Sequence, residues 1–449
     1  MHKKFVIIGG DAAGMSAASK IRRLQPEAEL VVFEKGKHIS FAACGIPYWL
    51  GGVVEDENKL QVLTPEIARE KRNIDVRIGH EVLSIMTQAK QVKVKDHATG
   101  VTLSESYDKL LIATGARAKI PNLPGLDLDG VFTLRNLSDG QKIKSYLENR
   151  KVVHATIVGA GYIGLEMAEN LRHLGMGVTL VAAGDQIARQ FDKGILEQVE
   201  THIVEQQVDL RLETIVTGIS KIDGHLEVAT DKGKIATDLV ILSKGVLPNS
   251  ELAAEAGISL GSSRAILTNA HMQTSDPDIY AAGDCAEHKH LVTGDSTWVP
   301  LATSANRGGR IAGENMAGSK SRFTGILGTV VIKVFEYTLA ATGLSEKEAH
   351  KMYGDEAIST SLVSAGNKAH YYPGSTPLTI KLVVDVASKR LLGAQMVGKS
   401  DVAKRMDVLA TAITAKMSVE EIGMLDLTYA PPFAPVYDPI HIAANVANK

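Results

Sequence analysis

Two cysteines stand in a chain of 449 residues, Cys44 and Cys285. Cys44 lies in Ser40-Phe41-Ala42-Ala43-Cys44-Gly45-Ile46-Pro47-Tyr48, whereas Cys285 directly follows Gly283-Asp284. No CxxC or CxxxxC pair is present, so dithiol chemistry is excluded. Two cysteines so far apart fit a reducing compartment better than a structural disulfide. A lone thiolate can still do two-electron chemistry, as a mixed disulfide or a sulfenic acid, but it needs an electron donor beside it. Glycine-rich turns offer the place for one. Gly159-Ala160-Gly161-Tyr162-Ile163-Gly164 is a full GxGxxG after an apolar strand. Its first glycine permits the turn, the second lets the backbone approach a pyrophosphate, and the third lets helix and strand pack closely. The helix start adds free N–H groups and a positive dipole end. An earlier turn, Gly9-Gly10-Asp11-Ala12-Ala13-Gly14, carries Asp11 where the middle glycine is expected. Its plainer reading is a generic strand–turn–helix. Against that, Glu34 follows Gly14 by about 20 residues, where a carboxylate binds a ribose hydroxyl pair.

The elements that must position these residues can be read from periodicity. Strands are expected over 5–8, 30–33, 156–158 and 178–181, with helices over 15–24 and 165–174. Two such units predict an α/β protein with two doubly wound, Rossmann-type domains. The last 120 or so residues read as a mixed α+β unit. Strands are expected there over 329–334, 378–384 and 391–397, and helices over 404–416 and 419–425. The domain boundaries are placed at 1–150, 151–249, 250–322 and 323–449, with no linker between packed parts. Lys plus Arg is 49 and Asp plus Glu is 51, a net charge of −2. That balance excludes a surface built for nucleic acid or acidic membranes. Apolar residues at 45% exclude disorder. No apolar run approaches a membrane span and no signal-peptide pattern opens the chain, so a cytoplasmic location is expected. No metal is expected.

Two further strands carry the resemblance. Tyr107-Asp108-Lys109-Leu110-Leu111-Ile112-Ala113-Thr114-Gly115 ends in Ala-Thr-Gly, and Asp276-Pro277-Asp278-Ile279-Tyr280-Ala281-Ala282-Gly283-Asp284 ends in Gly-Asp. With the two turns, they resemble the pyridine nucleotide–disulfide oxidoreductase superfamily. The SFxxCGxPY segment at Cys44 is similar to its single-cysteine branch of coenzyme A–disulfide reductases, persulfide or polysulfide reductases and NADH oxidases. The resemblance implies FAD on the first unit, split as 1–150 and 250–322, held through Gly9, Gly14, Glu34, Lys35, Thr114, Gly115 and Asp284. It implies NADH or NADPH on 151–249, through Gly159, Gly161, Gly164 and Gly245. It makes 323–449 a dimerisation domain whose Tyr371 and Tyr429, in His370-Tyr371-Tyr372-Pro373-Gly374 and Tyr429-Ala430-Pro431-Pro432-Phe433, reach Cys44 of the partner in a homodimer. A coenzyme A substrate, or coenzyme A bound at Cys44, would meet Lys20, Arg23, Ser40, Lys71 and Arg72. Ala43 replaces an Asn frequent in relatives.

The activity implied is reduction of coenzyme A disulfide, coenzyme A persulfide or polysulfide by NAD(P)H through Cys44. The alternative is an NADH oxidase that makes water or peroxide through a sulfenic acid. Ala12 stands where the peroxidase branch has His, which argues against efficient peroxide reduction. No rhodanese domain, present in some polysulfide-reducing relatives, is expected. Cys44 is expected to have a lowered pKa, from flavin, helix dipole or nearby donors, and Cys285 to be a packed small residue. Val181-Ala182-Ala183-Gly184 lacks the carboxylate of NAD-preferring relatives and shows no obvious Arg. Low discrimination between NADH and NADPH is therefore expected.

Overall fold

The computed structural model describes residues 3–449. Aliphatic and β-branched runs without polar alternation belong in strands covered on both faces. Lys4–Ile8 and Leu239–Leu242 are such runs and are buried almost throughout. The first lies at the centre of a parallel sheet in the order Ile279–Ala281, Lys109–Ile112, Lys4–Ile8, Glu29–Glu34, Asp75–Ile78. The second lies in another parallel sheet, Val208–Arg211, Gly177–Val181, His154–Val158, Leu239–Leu242, Val131–Thr133. A third, antiparallel sheet runs Val330–Val334, Tyr337–Gly343, Leu391–Gly398, Pro377–Asp385, Ile358–Gly366.

The second parallel sheet reaches back across position 150. Its edge strand Val131–Thr133 pairs with Leu239–Leu242, and a three-residue edge strand leaves no periodicity to read. A ribbon of Ala116–Ala118 and Val246–Pro248 carries the chain between the two units. The helices after the glycine-rich turns span Ala12–Leu24 and Tyr162–His173, starting a few residues earlier than periodicity suggests. Those expected near the C-terminus are Val402–Thr414 and Val419–Gly423.

Two packings set the site. Helix Ala302–Met316 lies against Ala12–Leu24 so closely that a Cβ on Gly313 would sit 2.6 Å from the Ala17 carbonyl oxygen. The short helix Ile46–Leu50 buries Ile46, Trp49 and Leu50 in the core of the second unit, among Leu165, Met167 and Leu171 of Tyr162–His173. Cys44 sits in the 3₁₀ turn Ala43–Gly45 just before it. That anchoring places the cysteine at the seam between the two units. No helix among the described residues is long and apolar enough to cross a membrane.

Candidate active site

Both glycine-rich turns use backbone that side chains rarely adopt, with φ +106° at Gly9 and +120° at Gly159. A Cβ at either would strike the backbone of the adjoining strand, at Ala113 and Ser243 respectively. Glu34 ends the second strand of the first unit, and its carboxylate accepts the Gly10 N–H at 2.8 Å and the Gly36 N–H at 2.6 Å. It therefore stands against the first turn, with Lys35 exposed beside it. Neither N-cap residue, Asp11 or Gly161, caps its helix with a side chain, so the first-turn amides stay available. Nothing lies within 4 Å of a Cβ on Gly161. Open glycine backbone, uncapped helix starts and a strand-end carboxylate fit a dinucleotide in the first unit. The second lacks only the carboxylate.

At the crossover, the Thr114 hydroxyl donates to the Asn249 carbonyl at 2.5 Å, and the Asn249 N–H donates to Gly115 at 2.9 Å. Gly115 and Gly245 both have positive φ. Asp284 follows the last strand of the first sheet and is ion-paired with Arg135 at 2.8 Å. Burial still raises the Asp284 pKa, against the pull of that guanidinium. Asp11 is pushed up to about 6 by burial, opposed by Arg135 and the amides of Phe41 and Ala12. Its Oδ1 is buried without a hydrogen-bond partner, a polar atom left for a ligand at the first turn to satisfy.

Cys44 is exposed, and its surroundings differ from expectation. The protein raises its thiol pKa, first because neighbouring atoms partly desolvate the sulfur and then by the charge of Glu166, with Asp284 and Asp11 adding and only Arg135 opposing. The helix that follows has five residues, too short for a strong dipole. Glu166, on the helix of the second fingerprint, is itself pushed up to about 7 by burial and by Glu169, while a hydrogen bond to Tyr48 pulls it down. Burial raises Tyr48. Cys285 is buried, and its Sγ donates to the Ile112 and Ala282 carbonyls at 3.4 and 3.3 Å, a packed residue as expected.

Arg23 and Arg72 converge on one residue: Arg23 donates to the Ser19 carbonyl at 3.1 Å and Arg72 to the Ser19 hydroxyl at 3.3 Å. Lys71 is exposed next to Arg72. Ser40 has φ +44° and its N–H donates to Gly10 at 3.0 Å, tying the cysteine segment to the first turn. Lys20, one helical turn from Arg23, is ion-paired with Glu314 at 3.0 Å. Tyr371 and Tyr429 are hydrogen-bonded to each other, which raises Tyr371. Among the described residues, no hydrogen bond joins either to Cys44 within one chain. The arginine that the sequence seemed to lack at the second unit's strand end is present: Arg189 folds back over Gly184. Arg135, Glu166 and Asp11 escaped sequence reasoning as functional residues. Glu166 and Asp11 had local signals, the first two positions beyond the last glycine of its fingerprint and the second in the place of a fingerprint glycine; Arg135 had none.

Residues 3–309 match the pyridine nucleotide-disulphide oxidoreductase family, and residues 329–439 match that family's dimerisation domain. The chain belongs to this family. Among its relatives, this oxidoreductase is 44% identical to the NAD(P)H sulfur oxidoreductase (CoA-dependent) of Pyrococcus abyssi, over 99% of this chain and 98% of that one. Reduced CoADR-RHD of Bacillus anthracis superposes with a TM-score of 0.96 at 40% identity, covering 100% of this chain and 80% of that chain. The NAD-dependent persulfide reductase of A. fulgidus gives 0.96 at 39% identity, with 99% and 83% covered. The oxidoreductase fold, the use of FAD and NAD(P)H, and the dimerisation domain follow from membership.

Proposed function

We propose that this oxidoreductase uses NAD(P)H and FAD to reduce coenzyme A disulfide, coenzyme A persulfide or polysulfide through Cys44. The observation that carries it is one accessible thiol at the seam of two dinucleotide units, with the other thiol packed away. The names of the Pyrococcus and A. fulgidus relatives support the same substrate class. FAD belongs to the first unit, 1–150 without the Val131–Thr133 strand that joins the second sheet, together with 250–322; NAD(P)H belongs to the unit between, and dimerisation runs through 323–449. When bound, FAD supplies two-electron transfer from nicotinamide to sulfur. The chain's own residues do the rest. Glu34 orients a ribose, Asp284 with Thr114 and Gly115 faces the flavin side, and Gly9 and Gly14 let the backbone close on the pyrophosphate. Gly159, Gly161, Gly164 and Gly245 do the same for the nicotinamide dinucleotide. Lys20, Arg23, Ser40, Lys71 and Arg72 hold the phosphates of coenzyme A, Lys20 within its ion pair with Glu314. A Cys44–coenzyme A mixed disulfide takes two electrons and one proton to give the Cys44 thiolate and free coenzyme A. Tyr371 and Tyr429 of the partner in a homodimer supply that proton. The enzyme works in the cytoplasm, where thiols stay reduced.

The test is non-reducing mass spectrometry of the intact protein beside a Cys44→Ser variant. A reductant-released adduct of coenzyme A mass on Cys44 is expected. The variant should keep FAD and lose disulfide turnover by at least about a thousandfold. A singly oxygenated Cys44, with oxygen consumption in place of disulfide reduction, would move the assignment to an NADH oxidase.

A further inference from the structure

We propose that this enzyme selects NADPH over NADH and that Arg189 reads the 2′-phosphate. The inference rests on the reading of Gly159–Gly164 as the NAD(P)H loop.

Register locates the position. Ile8 pairs with Phe33 and Val158 with Val181, so Ala182 holds in the second unit the place that Glu34 holds in the first. A carboxylate there binds a ribose diol and repels a 2′-phosphate; the Ala182 methyl does neither. Ala183 and Gly184 add no side-chain acceptor. The chain then doubles back onto the fingerprint itself, where the Ala188 N–H donates to the Ala160 carbonyl at 2.8 Å. The Phe191 N–H donates to Ala188 at 2.8 Å, and the Gln186 side chain donates to Phe191 at 2.7 Å. Ile187 is buried and its N–H donates to Glu200 at 3.0 Å. Ala188, also buried, has φ +37°, a conformation that persists only where its surroundings impose it. The turn is therefore built rather than loose.

What it delivers is a guanidinium. The Arg189 side chain lies across Gly184, with Cδ 3.4 Å and Cζ 3.8 Å from where a Gly184 Cβ would stand. Of the charges on this turn, Asp185 and Lys193 neutralise each other at 2.6 Å. Arg211, next to it in the sheet, is paired with Asp209 at 2.8 Å. Arg189 is exposed and, among the described residues, has no ion pair. A planar fork with free donors, beside the strand end and over a glycine, suits a phosphate on the adenosine ribose.

Calorimetry on the FAD-loaded, oxidised enzyme tests this with NADP+, NAD+ and 2′,5′-ADP as probes. NADP+ should bind at least about tenfold more tightly than NAD+, and 2′,5′-ADP should exceed 5′-AMP, the fourth probe, by a similar factor, each pair differing only in the 2′-phosphate. Arg189→Gln should abolish the difference and Arg189→Lys should keep part of it. Ala182→Glu, which leaves Arg189 in place, should reverse the preference on its own. Equal affinities in the wild type, or a preference that Arg189→Gln leaves intact, would overturn the role of Arg189 while leaving the dinucleotide site standing. Failure of both dinucleotides to bind would overturn the NAD(P)H reading of this loop and the inference with it.

Discussion

Cys44 ionises against its own protein. A reactive cysteine is usually found beside cations, yet here Glu166, Asp284 and Asp11 outnumber Arg135 around the thiol. Glu166 gives the larger charge effect, and its pKa of about 7 makes that effect switchable. The sign follows directly. Above that pH the carboxylate is charged and holds the thiol pKa up; a neutral side chain there lowers it. Glu166→Gln should therefore speed iodoacetamide alkylation of Cys44 near pH 8 by about two- to threefold. An unchanged rate-versus-pH profile would show that burial alone sets the thiol. Legibility at this scale divides cleanly. Cys44 and the fingerprint glycines are readable because their type and spacing carry the chemistry. Asp11, Arg135 and Asp284 come from three distant segments, and their shared electrostatics exists only after folding.

Among the elements, the contact between Ala12–Leu24 and Ala302–Met316 is set by absent side chains. Gly309 and Gly313 face Ala13 and Ala17, and a Cβ on Gly309 would meet the Ala13 backbone. Two effects oppose each other in Gly309→Ala. Helix propensity favours alanine by about 1 kcal/mol, whereas overpacking against rigid backbone costs about 1–3 kcal/mol. The backbone has no rotamer through which to yield, so net destabilisation is expected, read as a lower denaturant midpoint of the FAD-loaded enzyme and weaker FAD retention. A stabilised variant would mean the helices separate freely. The helix Ala302–Met316 went unread for the same reason that it packs so tightly: Gly308-Gly309-Arg310-Ile311-Ala312-Gly313 shows little apolar periodicity. Most strands buried on both faces were legible, although Leu239–Leu242 was missed, and Ile358–Gly366, with its alternating polar face, and the meander His80–Met86, Gln91–Asp96, Thr102–Ser106 were not.

The whole molecule leaves one surface unexplained by a single chain. The antiparallel sheet docks on its own second unit through Ile332, Val334, Phe335 and Val397. The Lys381–Asp192 ion pair at 3.1 Å, largely buried, ties the same two parts. That docking leaves Tyr371 64% and Phe433 74% exposed, and aromatic patches of this kind mark interaction surfaces. A homodimer that shares its sites makes a specific demand on mixed dimers. Co-expressing Cys44→Ser with the double variant Tyr371→Phe, Tyr429→Phe, under two affinity tags, yields heterodimers with one fully wild-type site and one doubly damaged site. Such heterodimers should recover about half of the wild-type turnover per dimer, because proton donation by a positioned phenol is worth about a hundredfold or more. If each chain instead used its own tyrosines, the heterodimer would do no better than the mean of its two inactive or slowed parents. Half-activity requires the tyrosines of one chain to act on the cysteine of the other, and no rearrangement within a single chain reproduces it.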